Sequence, residues 1–303
     1  MLWLAAALSA IAFSLATNVR GETERAATLS DGIRTHYLAE GAIRRAILTR
    51  LSRPNQAGLP RLPFSFPNGE AIVDVIPETA RLSLNQGRPD QFVALLLALG
   101  VEPPRAQDIA AALVDWRSGG GALDPYYLSL TPSFRPRHAS FQEVEEALYV
   151  RGMTPEIFHG DYRRDPRGGL VRMGAFKDCV SVFGTNSNFD VNHSEPALLV
   201  SLGIPPEAVQ RLVQIRRERP FVNQSEIGQL GPLAAGASGR LRVGGNTIYT
   251  LRATARLRQP GGLLSDLSRT VAATVKFRTE GEGPPYEVLR WQDQAYSEVS
   301  QWP

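Results

Sequence analysis

The chain has 303 residues, of which 43% are hydrophobic and 21% charged, and its formal net charge is +3. This composition can bury a core in one large or two medium domains, and it excludes an intrinsically disordered chain. A single cysteine excludes an intrachain disulfide and a cysteine-based metal site. The small cationic excess is spread along the sequence, so charge alone does not indicate a nucleic-acid-binding surface.

The first 16 residues form an apolar run without a charged side chain. As a helix this run spans about 24 Å, short of the roughly 30 Å hydrocarbon core of a membrane. We interpret it as the front of a membrane anchor that continues into a longer helix. A cleaved signal peptide is the alternative, because residues 14–16 (Ser-Leu-Ala) fit a small-residue cleavage site. The predicted anchor residues are Leu2, Trp3, Leu4, Ile11, Phe13 and Leu15.

Behind the apolar run, the sequence keeps a helical period without proline until Arg53-Pro54. One stalk helix over residues 1–53 is therefore predicted, apolar at the front and amphipathic behind. The side chains predicted to pack this stalk against neighbouring stalks are Leu29, Ile33, Tyr37, Ile43 and Ile47.

A proline-rich connection follows at residues 54–67, and residues 70–76 then form a strand candidate. Three further strand candidates lie near the C-terminus, at residues 247–257, 270–277 and 286–291. The first two of these alternate as strands of a half-exposed antiparallel sheet do. The pattern predicts a sheet whose strands come from both ends of the chain.

Two segments between these strands each predict a strand followed by a helical hairpin. They begin at residues 82–85 (Leu-Ser-Leu-Asn) and 189–192 (Phe-Asp-Val-Asn), and their first helices stop at Gly100 and Gly203. A helix-hairpin-helix can bind nucleic-acid phosphate through backbone N–H groups at the hairpin. Here Glu102 and Pro205 occupy the phosphate-facing positions, so we interpret both segments as packing modules. A membrane-tethered nucleic-acid-binding protein is the alternative.

Catalytic patterns are missing from the sequence: no histidine pair has metal-ligand spacing, and no serine lies in a Gly-x-Ser-x-Gly elbow. An enzyme is therefore not predicted, although a secreted enzyme or lectin-like domain is a further alternative. Asp115 and Asp124 flank a glycine loop where oxygen ligands could surround calcium, and two carboxylates predict weak binding at most. In the structural alternative, Asp115 caps the loop and Trp116 packs beneath it.

An ordered set of motifs over nearly the whole chain resembles the K-class minor pseudopilins of type II secretion systems, the general secretion pathway protein K family. The motifs are residues 37–42 (Tyr-Leu-Ala-Glu-Gly-Ala), 82–85, 113–116 (Leu-Val-Asp-Trp), 126–128 (Tyr-Tyr-Leu), 144–156 with Arg-Gly-Met-Thr-Pro-Glu, 190–192 and 286–291. Two features depart from the family pattern. No basic leader with a glycine cleavage site precedes the apolar run, which we attribute to a start codon placed too late. Arg117 and Ser118 also stand where family members carry more acids.

The resemblance implies an α+β fold, in which a long N-terminal helix packs on an antiparallel, pilin-like sheet with a large mainly helical insertion. It implies a structural subunit at the pseudopilus tip that assembles with the I- and J-class minor pseudopilins and the inner-membrane secretion assembly. It also implies a single-pass inner-membrane protein with its globular part in the periplasm. Nucleic acid is not implied as a partner, and calcium is the one candidate cofactor.

The predicted organisation has four parts. They are the stalk at residues 1–53, a first sheet part at 54–85, a helical insertion at 86–173, and a second sheet part at 174–303 that carries the hairpin-like segment 192–230.

Overall fold

A computed structural model describes residues 2–52, 59–164, 168–172, 174–228, 237, 239–278 and 283–295. The helices are α1 (Leu2–Ser52), α2 (Pro89–Ala98), α3 (Pro103–Arg117), α4 (Asp124–Leu128), α5 (Pro155–His159), α6 (Phe176–Cys179), α7 (Pro196–Ser201), α8 (Pro206–Glu218) and α9 (Gln224–Gly228). The strands are β1 (Arg61–Phe66), β2 (Gly69–Pro77), β3 (Leu82–Ser83), β4 (Tyr162–Arg164), β5 (Leu170–Arg172), β6 (Val180–Ser181), β7 (Phe189–Asp190), β8 (Leu241–Arg242), β9 (Ile248–Arg258), β10 (Leu264–Phe277) and β11 (Tyr286–Gln292).

The chain divides into two compact units. The first, the sheet unit, comprises Met1–Val75, Thr250–Lys276 and Glu282–Pro303. The second, the helical unit, comprises Ile76–Tyr249 and Phe277–Gly281. Mixed helix and sheet, with a long N-terminal helix and an antiparallel sheet, confirm the predicted α+β class.

Helix α1 runs without a break over 51 residues, which confirms the predicted stalk. No proline interrupts it, and its three internal glycines, Gly21, Gly32 and Gly41, each cost only about 1 kcal/mol of helix stability. The predicted end at residue 53 lies outside the described residues. Threonine hydroxyls along the helix donate to carbonyls one turn back, as Thr17 does to Phe13 at 3.1 Å.

The sheet has five strands in the order β1-β2-β9-β10-β11. Strand β1 pairs antiparallel with β2, from Arg61 opposite Asp74 to Phe66 opposite Gly69. Between β9 and β10, hydroxyl pairs fix the antiparallel register at one face, as between Thr254 and Thr270 at 3.0 Å. The neighbours β2 and β9 are far apart in sequence, because the helical unit is inserted between them.

Contacts along one side of α1 pack it on this sheet. The Arg45 guanidinium lies 5.0 Å from the centre of the Phe64 ring and donates to the Ser65 carbonyl at 3.1 Å. A Cβ at Gly69 would lie 2.2 Å from the Arg256 carbonyl oxygen of β9 and 2.9 Å from Leu38 of α1. The close approach of the β9 backbone therefore requires glycine here, and Leu38 packs over the same position. The buried apolar side chains on this side of α1 are Ala39, Ala42, Ile43, Ala46 and Ile47.

The helical unit contains both hairpins and has a core of its own. Helix α2 packs on α3 and on α7, and α7 packs on α8. Short parallel strand pairs, β3 with β6 and β7 with β8, bring the start of each hairpin to later parts of the chain. Phe92, Leu113, Phe189 and Leu212 are fully buried in this one core.

This shared core corrects the predicted domain boundaries. The helical insertion was predicted at residues 86–173, but the compact unit begins at Ile76 and extends to Tyr249. The second hairpin, predicted within a sheet part at 174–303, belongs with the first because α2 and α7 pack together. The boundary residues 54 and 173 and the hairpin end at residue 230 lie outside the described residues.

Candidate functional site

The front of α1 exposes large apolar side chains. Trp3, Leu4, Ile11, Phe13 and Leu15 are all exposed, while the side chain of Leu2 is outside the described part of the chain. The side chains of these predicted anchor residues are thus not buried by contacts within the chain. Among the described residues, no helix has both the length and the apolar content needed to span a membrane.

The amphipathic part of α1 has two apolar faces, which divides the predicted stalk residues into two groups. Leu29, Ile33 and Tyr37 follow each other at four-residue steps and are exposed by 70%, 59% and 64%. Ile43 and Ile47 are exposed by 0% and 3%. The assignment of these two to stalk packing is wrong, because their side chains lie on the face buried within the sheet unit.

A groove of about 1070 Å³ lies beside the exposed face, and Ile33 and Tyr37 form part of its wall. Across from α1 it is lined by the β1–β2 turn at Phe66 and Pro67 and by the β9–β10 turn at Pro260. Its wall also carries the charges of Arg34, Asp31 and Arg258. The groove and the exposed face therefore form one continuous surface with an apolar centre and a charged rim.

The two hairpins share a side-chain arrangement that holds each of them closed. The Asn85 side-chain amide donates to the Phe141 carbonyl at 3.0 Å, and its oxygen accepts from the Phe141 N–H at 2.7 Å. Asn192 makes the same reciprocal pair with Phe221, at 2.9 Å in both directions. Each asparagine lies at the start of its hairpin and pairs with both the N–H and the carbonyl of a phenylalanine that follows the second helix. It therefore holds the chain segments before and after the hairpin together.

An arginine at the end of the second helix completes each arrangement. Arg117 donates to the carbonyls of Leu84, at 2.6 Å, and Gly87. Arg216 donates to the corresponding carbonyls of Val191 and Ser194, at 3.0 and 2.7 Å. In each copy these carbonyls belong to the residue before the asparagine and the second residue after it. We call the asparagine and the arginine of each hairpin its clamp.

Burial lowers the pKa of both clamp arginines from the ordinary value. Their cationic groups are desolvated and spend their donors on backbone carbonyls. Arg216 is thus engaged inside the protein, although an arginine at this place in the sequence also suits a phosphate-binding role. The sequence does not indicate the role of either arginine, because their carbonyl partners come near them only in the folded chain. The asparagines, in contrast, belong to sequence motifs that the two hairpins share.

The N-termini of the second helices do not offer the N–H groups that phosphate needs. Helix α3 opens with Pro103 and Pro104, and α8 is preceded by Pro205 and opens with Pro206. Proline has no N–H, so two donors are lost at each hairpin. This adds to the effect of Glu102, which caps α3.

The predicted calcium loop gives its carboxylates other partners. Asp115 accepts hydrogen bonds from the N–H groups of Ala122 and Leu123, at 3.0 and 3.3 Å, one to each oxygen. Asp124 accepts from the His138 ring at 2.8 Å. Trp116 packs beneath among Tyr127, Phe134 and Phe141, as the structural alternative predicts. The described residues contain no group of three or more histidine, cysteine, aspartate or glutamate side chains placed to hold a metal.

The other histidines do not build a reaction site within the described residues. His193 lies 2.7 Å from the buried Asp190 carboxylate, which also accepts from the Gly244 N–H. His36 lies 3.8 Å from Asp293, and the exposed His159 ring packs edge-on against Phe158. Each is a separate local contact.

Comparison with known proteins adds three findings. The family model described as type II secretion system (T2SS), protein K, matches residues 73–160. The type II secretion system protein K of Klebsiella pneumoniae is 28% identical over 164 residues, which cover 45% of this chain and 50% of that protein. The chain thus matches about half the length of this curated relative.

The third finding is a structural similarity. The GspK-GspI-GspJ complex from the type 2 secretion system of enterotoxigenic Escherichia coli contains a chain that aligns over 92% of this one and 100% of its own length. The TM-score is 0.51 and the sequence identity 17%, so the match describes the fold.

Proposed function

We propose that the chain is a minor pseudopilin of the type II secretion system protein K family, a structural subunit at the tip of the pseudopilus. The match of the family model to residues 73–160 supports this. The observation that carries the proposal is the second apolar face of α1, formed by Leu29, Ile33 and Tyr37. A helix that buries one face within its own unit and leaves a second apolar face exposed is suited to pack against other helices. Assembly, not catalysis, uses such a surface.

The front of α1 supports membrane anchoring. Its uncharged run exposes Trp3, Leu4 and Ile11 in succession, and such side chains are stabilised by lipid or by neighbouring apolar helices. We propose a single-pass protein of the inner membrane, with the front of α1 in the membrane and the rest of the sheet unit and the helical unit in the periplasm. The exposed face at Leu29 to Tyr37 then lies on the periplasmic part of the same helix, beyond the charged stretch from Arg20 to Arg25.

The partners on this proposal are the I- and J-class minor pseudopilins. Support comes from the structural neighbour, which was solved as a GspK-GspI-GspJ complex. The second compact unit, inserted between β2 and β9, is the reason to assign a tip position. A subunit that carries such an additional unit is suited to the place where no further subunit has to stack.

The test is an aspartate at Ile33. We expect Ile33→Asp to abolish secretion by a complemented deletion strain and co-purification with the I- and J-class subunits, while the melting temperature stays unchanged. A charge on an exposed face costs little in folding but is expensive when buried in an interface. Secretion and co-purification at wild-type levels would contradict the proposal.

Two comparison variants make the test specific. Thr28→Asp introduces the same side chain at an exposed position outside the groove, about 140° around the helix from Ile33, and we expect it to leave assembly intact. Ile43→Asp introduces it on the buried face, and we expect it to destabilise the sheet unit by about 3 kcal/mol or more. A substitution on the exposed face should therefore impair assembly, whereas one on the buried face should impair folding.

A further inference from the structure

His138 has an unusual backbone. Its φ of 48° is the only positive value among the non-glycine residues that the structure describes. Such a conformation is costly for a residue with a Cβ and persists only where other contacts maintain it. The contacts at His138 are made by its ring, which reaches back to the loop that follows α3.

Both ring nitrogens of His138 face hydrogen-bond acceptors. Nδ1 lies 2.9 Å from the Ser118 carbonyl oxygen, and Nε2 lies 2.8 Å from Asp124 Oδ1. A carbonyl oxygen and an ionised carboxylate can only accept, so making both bonds requires an N–H on each nitrogen. The geometry thus selects the imidazolium cation, and the ring joins three points of the chain that are 14 and 20 residues apart.

The surrounding loop is fitted to this ring. A Cβ at Gly121 would lie 3.0 Å from Asp124 Oδ2 and 3.4 Å from His138 Nε2, so glycine is needed for the close approach. Both oxygens of Asp115 already accept backbone N–H groups of the same loop. Each N–H group uses one of the two acceptor positions of its oxygen and offsets part of the carboxylate charge, so Asp115 is a weaker metal ligand than a free carboxylate.

The charges around the ring agree with a cation. The carboxylate of Asp124 faces it from the start of α4, and Asp115 lies at the end of α3 beneath the loop. The neighbouring cation Arg137 is directed to Glu146, at 3.6 Å. The hydrogen bond to Asp124 is the main cause that raises the pKa of His138 above the ordinary value.

We propose that the segment from Ser118 to His138 is closed by the His138 side chain, with a proton on each ring nitrogen, and that no metal ion takes part in closing it. The positively charged His138 ring holds this loop closed, as a bound metal ion would hold a loop whose carboxylates had no other partners. This inference concerns the loop alone and does not depend on the proposed assembly role.

The experiment measures amide hydrogen exchange at Ala122 and Leu123 in the full chain in detergent, at a pH of about 6. One sample contains about 10 mM calcium chloride, well above the dissociation constants of about 1 mM typical of weak sites, and the other contains excess EDTA. We expect equal protection in the two samples. Lower protection in EDTA, or a higher melting temperature in calcium, would overturn the proposal.

Variants and a spectroscopic readout complete the test. We expect His138→Gln to lower protection at these amides about tenfold, the effect of one hydrogen bond of ordinary net strength. Asp124→Asn should lower it as well, and His159→Gln, an exposed histidine of the same unit, should not. Nitrogen-15 spectra of the His138 ring should show both nitrogens protonated. A neutral ring at this pH, or unchanged protection in His138→Gln, would refute the proposal.

Discussion

In the first hairpin Gly100 follows Asn85 by 15 positions, whereas in the second Gly203 follows Asn192 by 11. From the glycine to the clamp arginine the steps are 17 and 13 positions. Each difference is four residues, close to one helical turn. Helix α2 is four residues longer than α7, and α3 up to Arg117 is four residues longer than α8 up to Arg216. A whole turn keeps the same side chains on the packed face, and the clamp closes in both copies.

The copies differ more strongly after the arginine. Phe221 follows Arg216 by five positions, while Phe141 follows Arg117 by 24, and α4 and the His138 loop lie in that longer stretch. The clamp therefore fixes the entry and exit of the hairpin and tolerates insertion between them. New surface can be added at this point without disturbing the core.

Removing the clamp asparagine should have the largest effect. Asn85→Ala and Asn192→Ala each leave an N–H and a carbonyl of a buried phenylalanine without partners, so we expect each to lower the free energy of unfolding by about 2–4 kcal/mol. Chemical denaturation measures this, with the exposed Asn246→Ala as the control. A large loss in one copy and none in the other would show that the two clamps are not equivalent.

Replacing the clamp arginine should have a smaller effect. Arg117 serves its two carbonyls with Nη1 and Nη2, and Arg216 serves both of its carbonyls with Nη1. Lysine keeps the charge but lacks the planar guanidinium that holds these directions, so Arg117→Lys and Arg216→Lys should each cost about 1–2 kcal/mol of unfolding free energy. The matched control is Arg217→Lys, the exposed neighbour of Arg216. Equal stability of Arg216→Lys and Arg217→Lys would mean that the carbonyl contacts contribute nothing.

A pH dependence should distinguish the first copy from the second. The folded-state pKa of His138 is raised, mainly by the hydrogen bond to Asp124. The stabilisation of the loop is then fully present below the unfolded pKa of about 6.5 and is lost as the pH rises through the folded-state pKa. The protection of amides in residues 118–138, expressed relative to the base-catalysed intrinsic exchange rate at each pH, should fall over that range in the wild type. His138→Gln should show no such transition, and a wild type without one would contradict this expectation.

The smallest effect concerns nucleic acid, where neither hairpin should bind. With proline at both second-helix N-termini and Arg216 engaged internally, we expect no binding of duplex DNA at micromolar protein in fluorescence anisotropy at physiological salt. Micromolar binding that disappears in the double variant Arg211→Glu and Arg217→Glu would revive the nucleic-acid alternative.

Local patterns in the sequence were enough to predict some elements and not others. The stalk and the strands β2, β9 and β11 follow from period, proline placement and alternation. Strand β1 was missed because Pro63 breaks the pattern, yet β1 is an edge strand, where proline is tolerated. Residues Val144–Tyr149 form a 3-10 helix, and Phe141 before it is held by Asn85, a contact between distant segments that no local pattern indicates.

The candidate site shows the same limit. Apolar spacing on α1 identified both Ile33 and Ile43, but one period cannot distinguish the face that meets the chain's own sheet from the face that remains exposed. The clamp arginines were visible only as cations, because their carbonyl partners come near only in the folded helical unit. Contacts between distant segments, which no local pattern encodes, decided each of these cases.

The two ends of the helical unit meet within it. The Thr79 hydroxyl donates to the Gly244 carbonyl at 3.4 Å, and a side chain at Gly245 would overlap the Pro77 ring. The folded helical unit thus brings the end of β2 close to the start of β9, as a short turn does for the two strands of a hairpin. Joining these strands through an unfolded insertion would first require closing a very long loop, with its entropy cost. We therefore expect the insertion to fold before the sheet, and pulsed hydrogen exchange that protects β2 and β9 before α2 and α7 would refute this order.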